Sequence, residues 1–288
     1  MNNILDAIGN TPIVKLSNCN IYAKLEFFNP FGSIKDRAAY QIIIDAEKNG
    51  NLQKGVSIVE ATSGNMGISL AAIGGIKGYK TTIIMPENMS ICRRKLIKAF
   101  GGDLLFTQAE LGMRGAIDEA EKLSCDHDIY MTRQFENPSS IKAHYLTTAP
   151  EIDMQMNCKV DAIVCGVGTG GTITGIANYF YGRNVKIIGV EPIKSPFLTK
   201  GYSGLHNIQG IGAGFCPKIL NIDLIDEIIA VSDEDALFYA RILLEKYGLF
   251  VGISSGAVYR AALQISEREE FANKSIVIIC ADGGDRYL

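Results

Sequence analysis

The sequence has little histidine and no closely paired cysteines. Its three histidines, His127, His144 and His206, are far apart, and its seven cysteines include no C-x-x-C pair. Zinc and related metal sites draw on clustered histidine and cysteine side chains, and disulfide frameworks draw on regularly spaced cysteines. The sequence therefore predicts neither a metal centre nor a disulfide-stabilised fold.

Long apolar runs and basic blocks are also missing. Hydrophobic residues make up 47% of the chain, yet no uninterrupted apolar run reaches the roughly 20 residues that span a bilayer. Residues 1–6 lack the basic and apolar regions of a signal peptide. The formal net charge is -3 without a basic cluster, which argues against nucleic acid as a partner. We therefore expect a cytoplasmic protein that binds neither membranes nor nucleic acid.

The chain does contain a regular alternation of short apolar strands and helical patterns, which is typical of a parallel sheet. The strands are rich in Ile and Val on consecutive positions, as expected for strands that are covered on both faces. With 288 residues, two modest cores are expected. The sequence thus predicts an α/β fold of two domains with mostly parallel twisted sheets. The predicted strands are 56–60, 81–85, 162–165, 186–190, 228–231 and 275–280, and the predicted helices are 66–76, 91–100, 112–123, 172–181, 234–247 (capped by Ser232) and 256–266.

Three polar, glycine-bearing segments follow these strands or precede helices. They are residues 62–65, 166–172 and 252–256. Functional loops of parallel sheets lie at the carboxyl ends of the strands. We therefore expect a site that gathers separated loops in a cleft between two α/β halves.

The segment 166–172, with the sequence Gly-Val-Gly-Thr-Gly-Gly-Thr, follows a strand and opens a helix. Backbone amides of such a loop and the positive helix N-terminus together make an anion site, and phosphate is the expected occupant. Gly166, Gly168 and Gly171 also satisfy the dinucleotide pattern G-x-G-x-x-G, with Glu191 20 positions later as a candidate ribose ligand. A turn that binds nothing is a third interpretation. The loop alone leaves these alternatives open.

Lys35 lies just after a turn, at the predicted start of a helix, within the segment Asn-Pro-Phe-Gly-Ser-Ile-Lys-Asp-Arg at 29–37. Lysines are usually solvated surface charges. Here the helix N-terminus, with Ser33 as a candidate N-cap, would disfavour the protonated amine and make Lys35 a better nucleophile or base.

This segment resembles the Schiff-base motif of the cysteine synthase and cystathionine β-synthase family, which are fold-type II pyridoxal phosphate (PLP) enzymes related to the tryptophan synthase β subunit. Several further motifs occur in the family's order, and the similarity runs nearly from end to end. These motifs are residues 8–12, 60–65, 85–87 with Arg93 and Arg94, 134–138, 168–172, 210–215, 252–256 and 285–288. The resemblance favours phosphate binding by the glycine loop over dinucleotide binding.

The resemblance implies a role for each matching residue. Lys35 would carry PLP as a Schiff base and act as the catalytic base. Ser254, or less plausibly Ser255, would meet the pyridine nitrogen, and Asn65 would hydrogen-bond the ring hydroxyl. The cofactor's phosphate would be held by Gly168, Thr169, Gly170, Gly171 and Thr172, and the substrate would be bound by Thr62, Ser63, Gln134 and Gly210.

The resemblance also implies a reaction. O-acetyl-L-serine would lose acetate to give an α-aminoacrylate on PLP, and sulfide would then add at the β-carbon to form L-cysteine. O-phosphoserine, serine and cysteine are alternative substrates, the last with release of hydrogen sulfide. An NAD-dependent oxidoreductase is the alternative from a different class.

The resemblance also implies a division into two domains and two protein partners. Residues 36–142 would form a smaller, mobile domain, and residues 1–35 and 143–288 would form a larger PLP-binding domain, with PLP in the cleft between them. A homodimer is expected, and the C-terminal tail of serine acetyltransferase is a candidate partner.

Met66 departs from the family pattern, which usually has threonine after Thr-Ser-Gly-Asn. Its side chain either reshapes the substrate pocket or simply packs inward as an early helical residue.

Overall fold

Two separate β-sheets form the framework of the protein. The computed structural model describes residues 3–16 and 20–288, so residues 1, 2 and 17–19 of the predicted larger domain lie outside the described residues. Ten strands are found in the described part of the chain. They are β1 (Ile13–Lys15), β2 (Ile21–Leu25), β3 (Ser57–Ala61), β4 (Thr81–Pro86), β5 (Asp103–Thr107), β6 (Ile129–Met131), β7 (Ala162–Gly166), β8 (Lys186–Pro192), β9 (Glu227–Val231) and β10 (Ile276–Cys280).

The larger sheet has the strand order β1-β2-β10-β7-β8-β9, and the smaller has the order β5-β4-β3-β6. All neighbouring strands are parallel except β1 and β2, which pair antiparallel. The predicted α/β fold with mostly parallel sheets is confirmed. Parallel pairing requires crossovers, which here are mostly helical. The α-helices are α1 (Lys35–Lys48), α2 (Asn65–Lys77), α3 (Ile91–Ala99), α4 (Gly112–Leu123), α5 (Ser139–Ala143), α6 (Ala149–Gln155), α7 (Gly171–Phe180), α8 (Phe197–Lys200), α9 (Asp233–Tyr247) and α10 (Ile253–Ser266).

Both faces of the larger sheet are buried, because alternate residues of each strand pack against different helices. Val164 and Ile278 belong to a core shared with Ala261 of α10, whereas Ile163 and Val277 belong to a core on the opposite face. This arrangement explains the continuous apolar runs in the sequence.

The smaller sheet is also covered on both sides. Ile58 and Ile83 pack in the core that includes α1 and α2, whereas Val59 and Ile84 pack against Ala116 and the rest of α4. Each sheet therefore has its own hydrophobic core. The cleft between the two cores is lined by residues at the ends of strands.

All six predicted strands and all six predicted helices are present. The largest shift is at α10, which begins at Ile253, three residues before the predicted start. Ser232 caps α9 as predicted, since its side chain accepts the Asp235 N–H at 3.0 Å. The strands β1, β2, β5 and β6 were not predicted. In the described part of the chain, no helix is both long enough and apolar enough to cross a membrane.

Candidate active site

A cavity of about 700 Å³ opens where the carboxyl ends of strands from both sheets meet. Thr62 follows β3 of the smaller sheet, whereas Gly168 follows β7 and Ala281 follows β10 of the larger sheet. The predicted gathering of separated loops is what the structure shows. Of the residues that the resemblance assigns to the cofactor or substrate, all but Gly171 and the alternative Ser255 line this cleft, namely Lys35, Thr62, Ser63, Asn65, Gln134, Gly168, Thr169, Gly170, Thr172, Gly210 and Ser254.

Lys35 is the first residue of α1, and its Nζ lies 3.4 Å from Thr169 Oγ1 on the glycine loop. Burial lowers the pKa of the amine, and the nearby Cys165 and Asp282 only partly oppose this effect. A lowered pKa favours the neutral, nucleophilic form. The candidate N-cap needs correction, since Ile34 occupies that position, although Ser33 Oγ still accepts the Lys35 N–H at 3.2 Å.

Three of the helices that begin at this cleft have glycine as the N-cap residue and so have no side-chain cap. Gly64, Gly170 and Gly252 are the N-cap residues of α2, α7 and α10, and none supplies a side-chain hydrogen bond to the first turn. The first N–H groups of a helix lack partners within it and carry partial positive charge. Uncapped helix starts around a polar cavity are therefore suited to an anion.

Close packing explains the glycines of the 168–172 loop. A Cβ at Gly168 would lie 2.4 Å from the Gly210 carbonyl oxygen, and a Cβ at Gly170, whose φ is +86°, would lie 2.8 Å from Leu220 Cβ. Gly171 lies outside the cavity lining, and a Cβ there would be 2.8 Å from Ser140 Cβ. The loop thus presents its main chain to the cleft at the start of α7. This cradle fits a phosphate group.

A buried histidine supports the same loop. Thr172 Oγ1 lies 3.1 Å from His144 Nε2, and His144 Nδ1 lies 2.9 Å from Thr148 Oγ1. Burial, together with the positive charges of Arg37 and Lys35, lowers the pKa of His144 well below its ordinary value. A neutral imidazole has one donor and one acceptor nitrogen, so Thr172 and Thr148 take opposite hydrogen-bonding roles.

The loop after β3 and the segment after β6 lie side by side. The Gln134 N–H donates to Glu60 Oε2 at 3.1 Å, and Gln134 Nε2 donates to the Ala61 carbonyl oxygen at 3.3 Å. The Thr132 hydroxyl also donates to Glu60. Burial raises the pKa of Glu60 to about 7, although these donors partly oppose the shift. Glu60 thus ties the Gln134 backbone to the strand that leads into Thr62.

Ser254 and Ser255 are adjacent at the start of α10 but occupy different environments. Ser254 lines the cleft, whereas Ser255 is fully buried and is not part of the lining. This geometry favours Ser254 of the two candidates. Met66 is 2% exposed, packs in the core of the smaller sheet and also borders the cleft.

Glu191, the residue suggested as a ribose ligand, is occupied elsewhere. Its carboxylate accepts the backbone N–H groups of Leu198 at 2.9 Å and Thr199 at 3.2 Å, and also the Thr199 hydroxyl. The side chain is 1% exposed and does not line the main cleft. Glu191 therefore holds the start of α8, and the dinucleotide interpretation loses its second residue.

Sequence reasoning missed several polar residues that line the cleft or contact its lining. Asp282 follows β10 directly, which is the position where parallel sheets place functional groups, and that signal was available. Arg93, His144 and Glu60 depend on contacts between distant segments. No local pattern in the sequence predicts their burial.

This fold and cleft define a class of enzymes, which hold a phosphate-bearing cofactor beside a reactive lysine. Residues 4–282 match the family model described as pyridoxal-phosphate dependent enzyme. The chain belongs to this family, and pyridoxal phosphate is its cofactor.

The resemblance to cysteine synthases is confirmed by similar proteins of known name. The chain is 47% identical to the cysteine synthase of Buchnera aphidicola subsp. Schizaphis graminum, over 98% of this chain and 92% of that protein. The crystal structure of cysteine synthase from Entamoeba histolytica superimposes with a TM-score of 0.96 at 41% identity, covering 100% of this chain and 89% of that one. A hydrogen sulfide-producing enzyme from Fusobacterium nucleatum gives a TM-score of 0.93 at 42% identity and covers 100% of both chains. The protein is therefore an enzyme homologous to cysteine synthases.

Proposed function

We propose that this enzyme makes L-cysteine from O-acetyl-L-serine and sulfide by replacement at the β-carbon. The observation that carries the proposal is the position of Lys35, whose amine has a lowered pKa and lies 3.4 Å from Thr169 Oγ1 on the phosphate-sized loop. The identity to cysteine synthases over 98% of the chain supports the choice of reaction.

The residues that line the cleft fit PLP. Lys35 would hold the cofactor covalently, the backbone of 168–172 would bind its phosphate, Ser254 would meet its ring nitrogen and Asn65 its ring hydroxyl. PLP supplies an electron sink that makes the α-proton of a bound amino acid acidic and the β-substituent a leaving group. A serine at the ring nitrogen, in place of a carboxylate, suits elimination at the β-carbon.

The substrate carboxylate would be bound by Thr62, Ser63 and Gln134, with Gly210 on the opposite wall. Hydroxyl and amide donors orient a carboxylate through charge-assisted hydrogen bonds, and this fixes the direction of the Cα–H bond. Lys35, freed when the substrate binds, takes the proton from Cα and later returns it to Cα. Burial lowers the pKa of this amine, which favours the neutral form that accepts the proton.

We further propose that residues 36–142 move as the smaller domain over the substrate. The smaller sheet falls within this range, and the carboxylate-binding loop follows its strand β3. By family resemblance, we also propose that the protein is a homodimer in the cytoplasm. The C-terminal tail of serine acetyltransferase would dock in the same cleft. Light scattering of the purified protein and competition by a tail peptide are the corresponding measurements.

A visible absorption spectrum tests the reaction. The holoenzyme should be yellow, with the visible absorption band of lysine-bound PLP. O-acetylserine without sulfide should move the band to longer wavelength, and sulfide should restore it. If the band does not respond to O-acetylserine but responds to O-phosphoserine, serine or cysteine, the responding amino acid is the substrate instead. A protein that cannot be loaded with PLP would refute the proposal.

A further inference from the structure

The segment after β10 contacts several elements that carry cofactor-binding residues. The Ile34 N–H donates to the Ala281 carbonyl oxygen at 2.8 Å, next to Lys35. The Gly252 N–H donates to the Asp282 carbonyl oxygen at 3.0 Å, at the start of α10. The side chains of Asp282 and Arg286, which are 2% and 5% exposed, reach Asn65 at the start of α2.

Two residues of this segment hold the two ends of the Asn65 amide. Asn65 Nδ2 donates to Asp282 Oδ2 at 2.6 Å, and Asn65 Oδ1 accepts from Arg286 Nη1. A guanidinium can only donate, so the amide oxygen must face Arg286 and the amide nitrogen must face Asp282. The amide therefore has one permitted orientation. Asn65 lines the cleft, and no acceptor among the described residues takes its second N–H.

Asp282 and Arg286 are themselves held by hydrogen bonds. The Tyr287 hydroxyl donates to Asp282 Oδ2 at 2.7 Å, and Arg286 Nη2 donates to the Phe31 carbonyl oxygen. The glycines beside them are required by space. A Cβ at Gly252 would lie 2.1 Å from Asp282 Oδ1, and a Cβ at Gly32, whose φ is +81°, would lie 2.5 Å from Arg286 Nη2.

We propose that Asp282 and Arg286 are positioning residues that lock the Asn65 amide, so that its free N–H points into the cleft as a donor to the cofactor's ring oxygen. This inference rests on the proposed function, because it assigns Asn65 to PLP. It gives the C-terminal segment a role in tuning the cofactor. The segment does not itself contact reacting atoms in this role.

A double-mutant cycle on PLP affinity tests the lock. PLP-free wild type, Asn65→Ala, Asp282→Ala and the double variant are titrated with PLP, and the absorption maximum of each loaded protein is recorded. Each single change should weaken PLP binding by about tenfold. The double variant should also lose about tenfold, because both changes remove the same interaction. Both single variants should shift the absorption maximum in the same direction.

Asp161→Ala is the matched control. Asp161 accepts the Ser275 N–H at 2.8 Å and pairs with Lys274 before β10, at the end of that strand away from the cleft. Its loss should leave PLP affinity and the absorption maximum within about twofold of wild type. Asp282→Asn keeps an acceptor for Asn65 and should stay within about threefold of wild type. This second variant also serves if Asp282→Ala does not fold.

Additive losses of about a hundredfold in the double variant would overturn the lock, as would an unchanged absorption maximum in Asp282→Ala. A tenfold loss in Asp282→Asn would do the same. Failure of the proposed function gives a different result, since wild type itself would then take up no PLP. That outcome would remove both claims, whereas an additive cycle in a PLP-binding protein removes only the lock.

Discussion

Buried charges in this protein fall into two regions that differ in how they are paired. Below the start of α1, Lys24, Glu26, Arg37 and Glu151 form a closed network. Arg37 Nε lies 2.7 Å from Glu26 Oε2, Arg37 Nη1 lies 2.6 Å from Glu151 Oε1, and Lys24 Nζ lies 2.7 Å from Glu151 Oε2. Around the cleft, Lys35 is half-buried and Glu60 and Asp282 are buried, and none of the three makes a salt bridge with a described residue.

The pKa values of the carboxyl groups follow this difference, whereas burial lowers the pKa of Lys24 as well as that of Lys35. In the network, burial alone would raise the pKa of Glu26, but Arg37, Thr11 and Lys24 together more than offset it and the pKa is lowered. At the cleft, burial dominates, so the pKa of Lys35 is lowered and the pKa of Asp282 is raised. Removing one partner of a buried ion pair is costly because the other charge is left uncompensated, whereas unpaired groups with shifted pKa values are suited to proton transfer and cofactor contacts. Lys35 and Arg37 are two residues apart on α1 and lie in different regions.

The largest expected effect is on the chemistry, from Lys35→Ala. Loss of the amine would remove both the proposed cofactor attachment and the proposed base, so kcat should fall by about a thousandfold or more. The fold should persist, because Lys35 makes no salt bridge with any described residue. Steady-state kinetics at saturating PLP and far-ultraviolet circular dichroism measure the two quantities. Full activity in this variant would contradict the account.

A substitution in the charge network should instead have its main effect on stability. Among the described residues, Arg37→Met leaves the buried Glu26 without a salt bridge and Glu151 paired with Lys24 alone, which should lower the free energy of unfolding by about 3–5 kcal/mol. Urea unfolding of PLP-free protein measures this without a contribution from cofactor loss. Arg183→Met is the control, because its bond to Asp153 at 2.7 Å is partly exposed and should be worth about 1 kcal/mol or less. Equal losses in both variants would contradict the comparison.

Glu60 should make stability depend on pH. Its pKa is about 7 in the folded protein and roughly 4.3 when exposed. Because the folded-state pKa is higher, the contribution of Glu60 is fully present below the unfolded pKa and is lost as pH rises through 7. Between pH 5 and 8, the free energy of unfolding of wild type should fall by on the order of 2–3 kcal/mol more than that of Glu60→Gln.

Urea midpoints at the two pH values measure this difference. Glu245→Gln is the control, since Glu245 is an exposed partner of Arg241 on α9. It should show the same pH dependence as wild type. If Glu60→Gln also behaves as wild type, the buried carboxyl is not the titrating group.

Met66→Thr should have the smallest effect. The shorter side chain leaves space in the core of the smaller sheet, which should cost about 1–2 kcal/mol of stability. The added hydroxyl borders the cleft and should lower KM for O-acetylserine by about two- to fivefold. Ile68→Thr is the control, because Ile68 is fully buried in the same core but does not line the cleft. Unchanged KM and donor preference in Met66→Thr would mean that Met66 only packs.

Much of the fold was predictable because buried parallel strands are continuous apolar runs. Residues 162–165 and 275–280 were predicted on this basis, and β7 and β10 lie there. The strands β5 and β6 are at the edges of the smaller sheet and are not fully buried, so their sequences lack a clear signal. The antiparallel strand β1 has only three residues.

The candidate site was predictable where one segment carries the chemistry, as in the Lys35 turn and the glycine loop. The supporting contacts were not, because they join distant positions. Glu151 lies 127 residues from Lys24, and Asn65 lies 217 residues from Asp282. Hydrogen bonds of this range depend on the assembled fold, which no local pattern encodes.

The central claim is that Lys35, unlike the paired Lys24, carries the cofactor. Borohydride reduction of the holoenzyme, followed by proteolysis and peptide mass spectrometry, tests it most directly. The account predicts one phosphopyridoxyl group per chain, on the peptide that contains Lys35, with Lys24 unmodified. A reduced adduct on another lysine, or none on any, would contradict it.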